Sequence, residues 1–205
     1  MFFPLTKPLP EKYYVGCSGG VDSLSALYWL RRNKDKLLGA IYFNHRSDFG
    51  DKSELVVKDF CNKHNIKLII GRLEGEKPKD KSKEEWWRDQ RYAFFDTVEP
   101  LDVPIILAHH MNDAMEEYLM ACIVRGFRGT IPYARGRCIR PFLGWQKQDI
   151  YKYARENNLD WIEDPSNTDT KYKRNMIREK LVPVALELNP GLHKIVKRLI
   201  KEEKV

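Results

Sequence analysis

With 205 residues, 42% hydrophobic and 12% aromatic, the chain carries enough apolar side chain for a packed core, which excludes global disorder. Lys and Arg number 36 against 29 Asp and Glu, a formal charge of +7 that suits a polyanionic partner such as RNA and equally a solvated basic surface. Cys17, Cys61, Cys122 and Cys138 show no metal-type spacing, no apolar run reaches bilayer length, and the proline-broken N-terminus is no signal peptide, so we expect a cytoplasmic protein without disulfides or membrane spans.

In chain order, short apolar runs alternate with longer amphipathic ones. "YYVGCS" (13–18) reads as a strand, and "DSLSALYWLRRN" (22–33) as a helix with Leu24, Leu27, Tyr28 and Leu30 on one face. "LLGAIYFNH" (37–45) is a second strand, "KSELVVKDFCNKHN" (52–65) a second helix and "KLIIGRL" (67–73) a third strand. A Lys-rich loop leads to the helix "EEWWRDQRYAFFDTV" (84–98), the strand "PIILAHH" (104–110) and the helix "NDAMEEYLMACIVRG" (112–126). "CIRPFLG" (138–144) predicts a fifth strand, followed by the helix "KQDIYKYARENN" (147–158). From Trp161 onward the chain turns basic and helical, broken by Pro165, Pro183 and Pro190.

Strands joined by crossover helices give an α/β fold: a parallel five-stranded sheet with helices on both faces. Residues 1–160 would form that domain, and 161–205 a helical C-terminal extension packed on it. Ligands in such folds bind beyond the carboxyl ends of the strands. There stands "GCSGGVDS" (16–23), where a strand gives way to a helix. Gly19 and Gly20 let the backbone turn tightly and approach a ligand, Ser18 and Ser23 offer hydroxyls, and the helix start points its N–H groups at the turn. A phosphate is the natural occupant of such a turn. Asp22 repels phosphate unless Mg²⁺ bridges the two; otherwise it is an ordinary first-turn helix charge.

"SGGVDS" (18–23) resembles the pyrophosphate-binding loop of the N-type ATP pyrophosphatases, the PP-loop superfamily. Its members cleave ATP between the α and β phosphates and adenylate a carbonyl oxygen. Four further stretches are similar to tRNA(Ile)-lysidine synthetases: "NHRSDFGDKSELVVKDFC" (44–61), "WRDQRYAFF" (87–95), "AHHMNDAMEEYLMACIVRGFRG" (108–129), and the run from Cys138 to Pro183 with "IRPFLG", "EDPSN" and "RNMIR". The resemblance implies an adenine nucleotide alpha hydrolase-like sheet and a compact form lacking the C-terminal domains of many members. It also implies a two-step ligase reaction. ATP adenylates carbon 2's oxygen on the wobble cytidine of an isoleucine tRNA with a CAU anticodon, and the amine of free lysine then displaces AMP.

The resemblance implies ATP and Mg²⁺ as cofactors and tRNA and lysine as partners, and leaves a homodimer open. Ser18, Gly19, Gly20, Val21, Asp22 and Ser23 would bind ATP, with Asp22 holding Mg²⁺. His45 and His109 would add ATP contacts, although His109, His110 and His45 each read equally as strand-end histidines with backbone-capping roles. Asp113 and Glu116 share a helix face and would bind, orient or deprotonate the amine; the plainer reading is exposed charge on an acidic helix start. Arg88, Arg91, Arg140, Arg174, Asn175 and Arg178 would contact RNA or AMP. The aromatics around Arg88 and Arg91 read mostly as core, as do Cys61 and Cys122, and "EDPSN" as a helix cap through Ser166 or Asn167.

The pattern departs from the family at Asn112 and Ala114, where it carries Asp and Gln, at Glu117, and at Tyr42, the position of its first histidine. Other readings are a tRNA thiolase working through Cys122 and Cys138, a small-molecule PP-loop ligase, and a degenerate RNA- or ATP-binding module.

Overall fold

A computed structural model describes residues 5–126 and 129–202. Two compact units emerge. One comprises Pro10–Leu107 with Leu159–Ile162; the other comprises Ala108–Asn158, the chain from Glu163 onward and the segment up to Leu9.

The first unit contains β1 (Tyr13–Gly16), α1 (Val21–Leu30), β2 (Leu37–Asn44), α2 (Asp48–Lys63), β3 (Leu68–Arg72), α3 (Lys83–Phe95) and β4 (Ile105–Ile106). All its strand pairings are parallel, in the order β3-β2-β1-β4. Tyr13 to Val15 and Gly39 to Asn44 are buried without alternation, the pattern of strands covered on both faces. The chain steps from β1 to β2 to β3 in one direction and then returns to β1's other side for β4. That reversal makes the carboxyl end of β1 a topological switch point, where open α/β sheets bind ligands.

α2 starts four residues earlier than its apolar periodicity suggests, because Ser47 caps it by accepting the Gly50 N–H at 3.0 Å. Ser82 caps α3 in the same way from the Glu85 N–H at 3.1 Å.

The second unit contains α4 (Met111–Met120), β5 (Ala134–Arg135), β6 (Cys138–Ile139), α5 (Lys147–Glu156), α6 (Lys173–Met176), α7 (Val182–Leu188) and α8 (Leu192–Glu202). Its core gathers Met111, Ala114, Met115 and Met120 of α4 with Leu192, Val196 and Ile200 of α8, and Ile177 and Val182 belong to the same cluster. The expected fifth strand forms as β6 but spans only two residues, and β5 pairs with it antiparallel, so six strands form in place of five. Pro141 has no N–H to give a ladder, and Phe142 and Leu143 are buried outside any strand.

α4 widens into a π turn at Ala121–Arg125. The extra residue per turn takes Cys122 off the buried stripe, and it is exposed where the sequence suggests core; Cys17, Cys61 and Cys138 are buried and all four thiols are free. Among the described residues, no helix is long and apolar enough to cross a membrane.

Candidate active site

The turn after β1 is built almost wholly from backbone and small side chains. Gly19 holds φ +84, and a Cβ there would lie 3.3 Å from the Ser53 carbonyl oxygen of α2. Its own carbonyl accepts the Ile162 N–H at 3.1 Å, pinning the turn from the other side. Gly20 is extended at φ −77, ψ 161, and has no side chain with which to cap α1. A Cβ on Gly20 would meet nothing closer than 3.7 Å, so the fold itself does not require glycine there.

Ser23 is the turn's internal tie. Its hydroxyl donates to the Gly20 carbonyl at 3.0 Å, accepts the Ser18 N–H at 3.1 Å and lies 3.2 Å from the Ser18 hydroxyl. Ser23 and Val21 are buried, whereas Ser18 is exposed and Asp22 half-buried in the first turn of α1. The turn therefore offers a ligand the Ser18 hydroxyl, the Asp22 carboxylate and the N–H groups at the start of α1. Burial raises the Cys17 thiol to about 11, against the smaller lowering effects of the Gly19 backbone and Ser23, so this cysteine stays protonated.

His45, at the end of β2, stacks on Trp87 of α3 with ring centroids 4.7 Å apart and meets Phe43 edge-on at 5.1 Å. Burial, assisted by the charge of Arg91, lowers it to about 4, so it is neutral at physiological pH. Its Nδ1 is buried without a hydrogen-bond partner. Arg88 and Arg91 both lie near the Tyr92 ring, at 5.6 and 5.9 Å; Arg88 is exposed and Arg91 half-buried. Of the aromatics around them only Phe95 is fully buried; Trp86, Trp87, Tyr92 and Phe94 are half-buried on a face that the sequence assigns to the core.

One organiser of this segment escapes the sequence reading. The buried Asn44 amide donates to Asp51 at 2.9 Å and Glu54 at 2.7 Å, and its oxygen accepts the Arg46 N–H at 2.7 Å. This holds Arg46 at φ +51 and fixes the exit of the chain beside His45. An asparagine ending a buried strand is the only local signal for it.

In the second unit the carboxylates of α4 form an ion-pair cluster. Asp113 accepts the His110 backbone N–H at 3.0 Å, so it also caps α4, and the His110 ring nitrogen lies 3.4 Å from the same oxygen. Its other oxygen accepts Arg174 Nη2 at 2.9 Å. Arg174 Nε reaches Glu116 at 2.9 Å, so a single guanidinium bridges both carboxylates. Arg178 binds Glu116 through two bonds of 2.7 and 3.0 Å. Glu116 is 3% exposed, while Arg174 and Arg178 are 42% and 34% exposed; the acids form the floor and the cations the lid. Burial alone would raise Asp113, but His110, Arg174, His109 and the His110 N–H together hold it well below the usual carboxylate range.

The neighbouring site residues are structural ties. Asn175 donates to the Ser166 carbonyl at 2.7 Å and the Asp169 carbonyl at 3.0 Å, fastening the 163–169 loop to α6. That loop is capped by Asp164, which accepts the Ser166 N–H, in place of the Ser166 or Asn167 expected. Arg140 is 2% exposed and donates to the Pro132 carbonyl at 3.0 Å. Asn112 accepts the Lys147 N–H at 3.0 Å, a role that a carboxylate oxygen could equally fill. The structure thus gathers Ser18 to Ser23 in one unit, with His45, Arg88 and Arg91 elsewhere in it. It gathers Asp113, Glu116, Arg174 and Arg178 in the other, with His109 just before α4.

The description PP-loop domain matches residues 4–185. The chain is 34% identical over 199 residues to the tRNA(Ile)-lysidine synthase of Francisella tularensis subsp. novicida, covering 92% of this chain and 50% of that protein. It is 34% identical over 206 residues to the tRNA(Ile)-lysidine synthase of Thermotoga maritima, covering 93% and 49%. The chain spans about half the length of the curated relatives it matches. Among solved structures it is similar in fold to the U34-tRNA thiolase of Methanococcus maripaludis, with TM-score 0.73, 17% identity and coverage of 95% of this chain and 74% of that one. A second is the ammonia-dependent NAD synthetase of Campylobacter jejuni, with TM-score 0.53, 15% identity and coverage of 96% and 86%. With a glycine turn at the switch point of a parallel sheet and a family match over most of its length, this chain belongs to the PP-loop domain family.

Proposed function

We propose that the chain is an ATP-dependent tRNA-modifying ligase that adenylates the wobble cytidine of a CAU-anticodon isoleucine tRNA and joins lysine to it. The observation that carries this reading is the convergence of Asp113 and Glu116 on one cationic group, the Arg174 guanidinium. Two carboxylates three residues apart, floored in apolar packing and already holding a cation, form a receptor suited to an ammonium. The 34% identity to lysidine synthases supports the same acceptor chemistry.

In the first step, the α1 N-terminus and the Ser18 hydroxyl hold the pyrophosphate end of ATP while the cytosine oxygen attacks the α-phosphorus and pyrophosphate leaves. Asp22 supplies one carboxylate at the edge of this turn, which fits Mg²⁺, an ion held by one or two carboxylates plus substrate phosphates and water. When bound, Mg²⁺ would offset charge on the departing pyrophosphate. His45, neutral and stacked, offers an apolar ring face and an unprotonated nitrogen to a base.

In the second step, one unprotonated amine of lysine attacks carbon 2, AMP departs with the oxygen and the proton shed by the amine passes to water, while lysine's other amine, an ammonium, is held at the acid pair. Arg174, 42% exposed, swings outward and yields the carboxylates to the incoming ammonium. Asp113, held well below the usual range, anchors that charge and is a poor proton acceptor.

Nucleoside mass spectrometry tests the reading, using the unmodified tRNA with the protein, ATP, Mg²⁺ and an amino-acid mixture. A cytidine heavier by lysine minus water is the expected product; unmodified cytidine with ATP consumed would point to another acceptor. The second reading, thiolation, draws on the fold likeness to a tRNA thiolase. It would need Cys138, which lies in β6 and is 1% exposed; a Cys138→Ser variant that keeps activity favours amine transfer.

A further inference from the structure

α8 presents two opposite faces. Leu192, Val196 and Ile200 recur every fourth residue and are buried against α4. Lys194, Lys197, Arg198 and Lys201 fall at i, i+3, i+4 and i+7 on the other side and are exposed. The four cations form a stripe spanning roughly 10 Å of helix, at about 1.5 Å per residue. Arg198 has a loose pair with Glu202 at 3.9 Å; the three lysines have no acidic partner among the described residues. Lys197 and Lys201 also border a recess of about 200 Å³, whose other walls are Leu5, Thr6, Leu143, Gly144 and Ile200. An anion seated there is approached by two ammonium groups over largely apolar walls, where water screens charge less.

Resting on the tRNA reading above, we propose that the outer face of α8 and its adjoining recess are a docking ridge for the RNA phosphate backbone. A stripe of exposed cations on one face of a helix is the electrostatic footprint of phosphate contacts that position a nucleic acid without reading its sequence. A membrane surface is the poorer occupant, because a helix that binds bilayers inserts its apolar face, and in α8 that face is taken by α4. The ridge stands on the helix packed directly against α4, the carrier of Asp113 and Glu116, so backbone contacts there would anchor RNA on the unit that holds the acid pair.

The test is fluorescence anisotropy of a labelled CAU-anticodon isoleucine tRNA transcript, titrated with the full chain over a series of NaCl concentrations. The double variant Lys197→Ala/Lys201→Ala should bind about tenfold more weakly at low salt, with the slope of log affinity against log salt shallower by about two. Lys194→Ala should change that slope by about one, and Lys197→Arg/Lys201→Arg should restore wild-type binding. Calorimetric binding of a non-hydrolysable ATP analogue should be the same in all variants. Wild-type affinity and slope in the double variant would overturn the ridge alone. A wild-type chain that binds no tRNA would overturn both the ridge and the tRNA reading. Binding to phosphatidylserine vesicles that the double variant loses, with tRNA binding intact, would assign the stripe to a membrane and overturn the inference.

Discussion

The two units solve the problem of holding charge in opposite ways. The turn at residues 16–23 relies on backbone: glycine conformations, helix N–H groups and a serine tie, with Asp22 the only charge in it. The cluster on α4 relies on side chains, two carboxylates and two guanidiniums brought together from segments about sixty residues apart. A backbone site is rigid and receives whatever fits its shape, as a pyrophosphate does. A side-chain ion cluster is closed by its own cations and can exchange one for another. The contrast suits the proposed reaction, whose first step grips the same cosubstrate at every turnover and whose second admits a separate amine.

The largest effect is expected at the one charge in the backbone site. Asp22→Ala should lower AMP formation by about 10²–10³-fold, the range seen when a group that offsets transition-state charge is removed, with an unchanged melting temperature. Surviving turnover would overturn the proposed Mg²⁺ role of Asp22 and erase one half of the contrast. The two glycines then separate shape from space. Gly20→Ala should leave stability unmoved, since its Cβ has room, yet cut ATP consumption about tenfold or more because the ligand needs that space. Gly19→Ala should instead cost about 1–2 kcal/mol of stability through its left-handed backbone, read by urea denaturation.

In the side-chain site, Arg178→Ala should cost about 1–2 kcal/mol, the lower part of the range for charged hydrogen bonds, because the guanidinium is 34% exposed. The smallest effects separate the units by pH. His45 sits at about 4 in the folded chain against an unfolded value of about 6.5, so its stabilising effect is full above pH 6.5 and is lost as pH falls toward 4. Asp113 is shifted below an unfolded value of about 3.9, so its contribution persists to about pH 4 and is lost only below it. Hydrogen exchange at pH 5 against pH 7, corrected for intrinsic rates, should therefore show faster opening in β2 and α3 and unchanged protection in α4. Equal loosening of both would mean that the His45 environment is not what distinguishes them.

The backbone site was legible because its chemistry is local. Two glycines between two serines, after an apolar run and before a periodic one, specify a turn and a helix start within eight residues. The parallel order followed from strands separated by helices; the fifth strand is only shorter than expected, because Pro141 interrupts an apolar run that is buried without being a strand. The side-chain site was half legible. The spacing of Asp113 and Glu116 put them on one face, but their partners lie 58 to 62 residues on, and no periodicity links them. The three asparagine ties were out of reach for the same reason: Asn44 reaches 7 and 10 residues along the chain, Asn175 goes back to a loop, and Asn112 receives an N–H 35 residues away. Equally out of reach were the protein partners of Arg140, Arg174 and Arg178, which lie far along the chain or in a loop.

The measurement closest to the central claim follows both steps in one reaction. Glu116→Gln would be mixed with ATP, tRNA transcript and labelled lysine, with pyrophosphate release and label on the tRNA read from the same tube. Pyrophosphate release near the wild-type rate in the first turnover, with lysine transfer slowed by about a hundredfold, is the result expected if the backbone site activates and the side-chain site delivers the amine. Equal slowing of the two readouts would contradict that division and return Glu116 to a purely structural role.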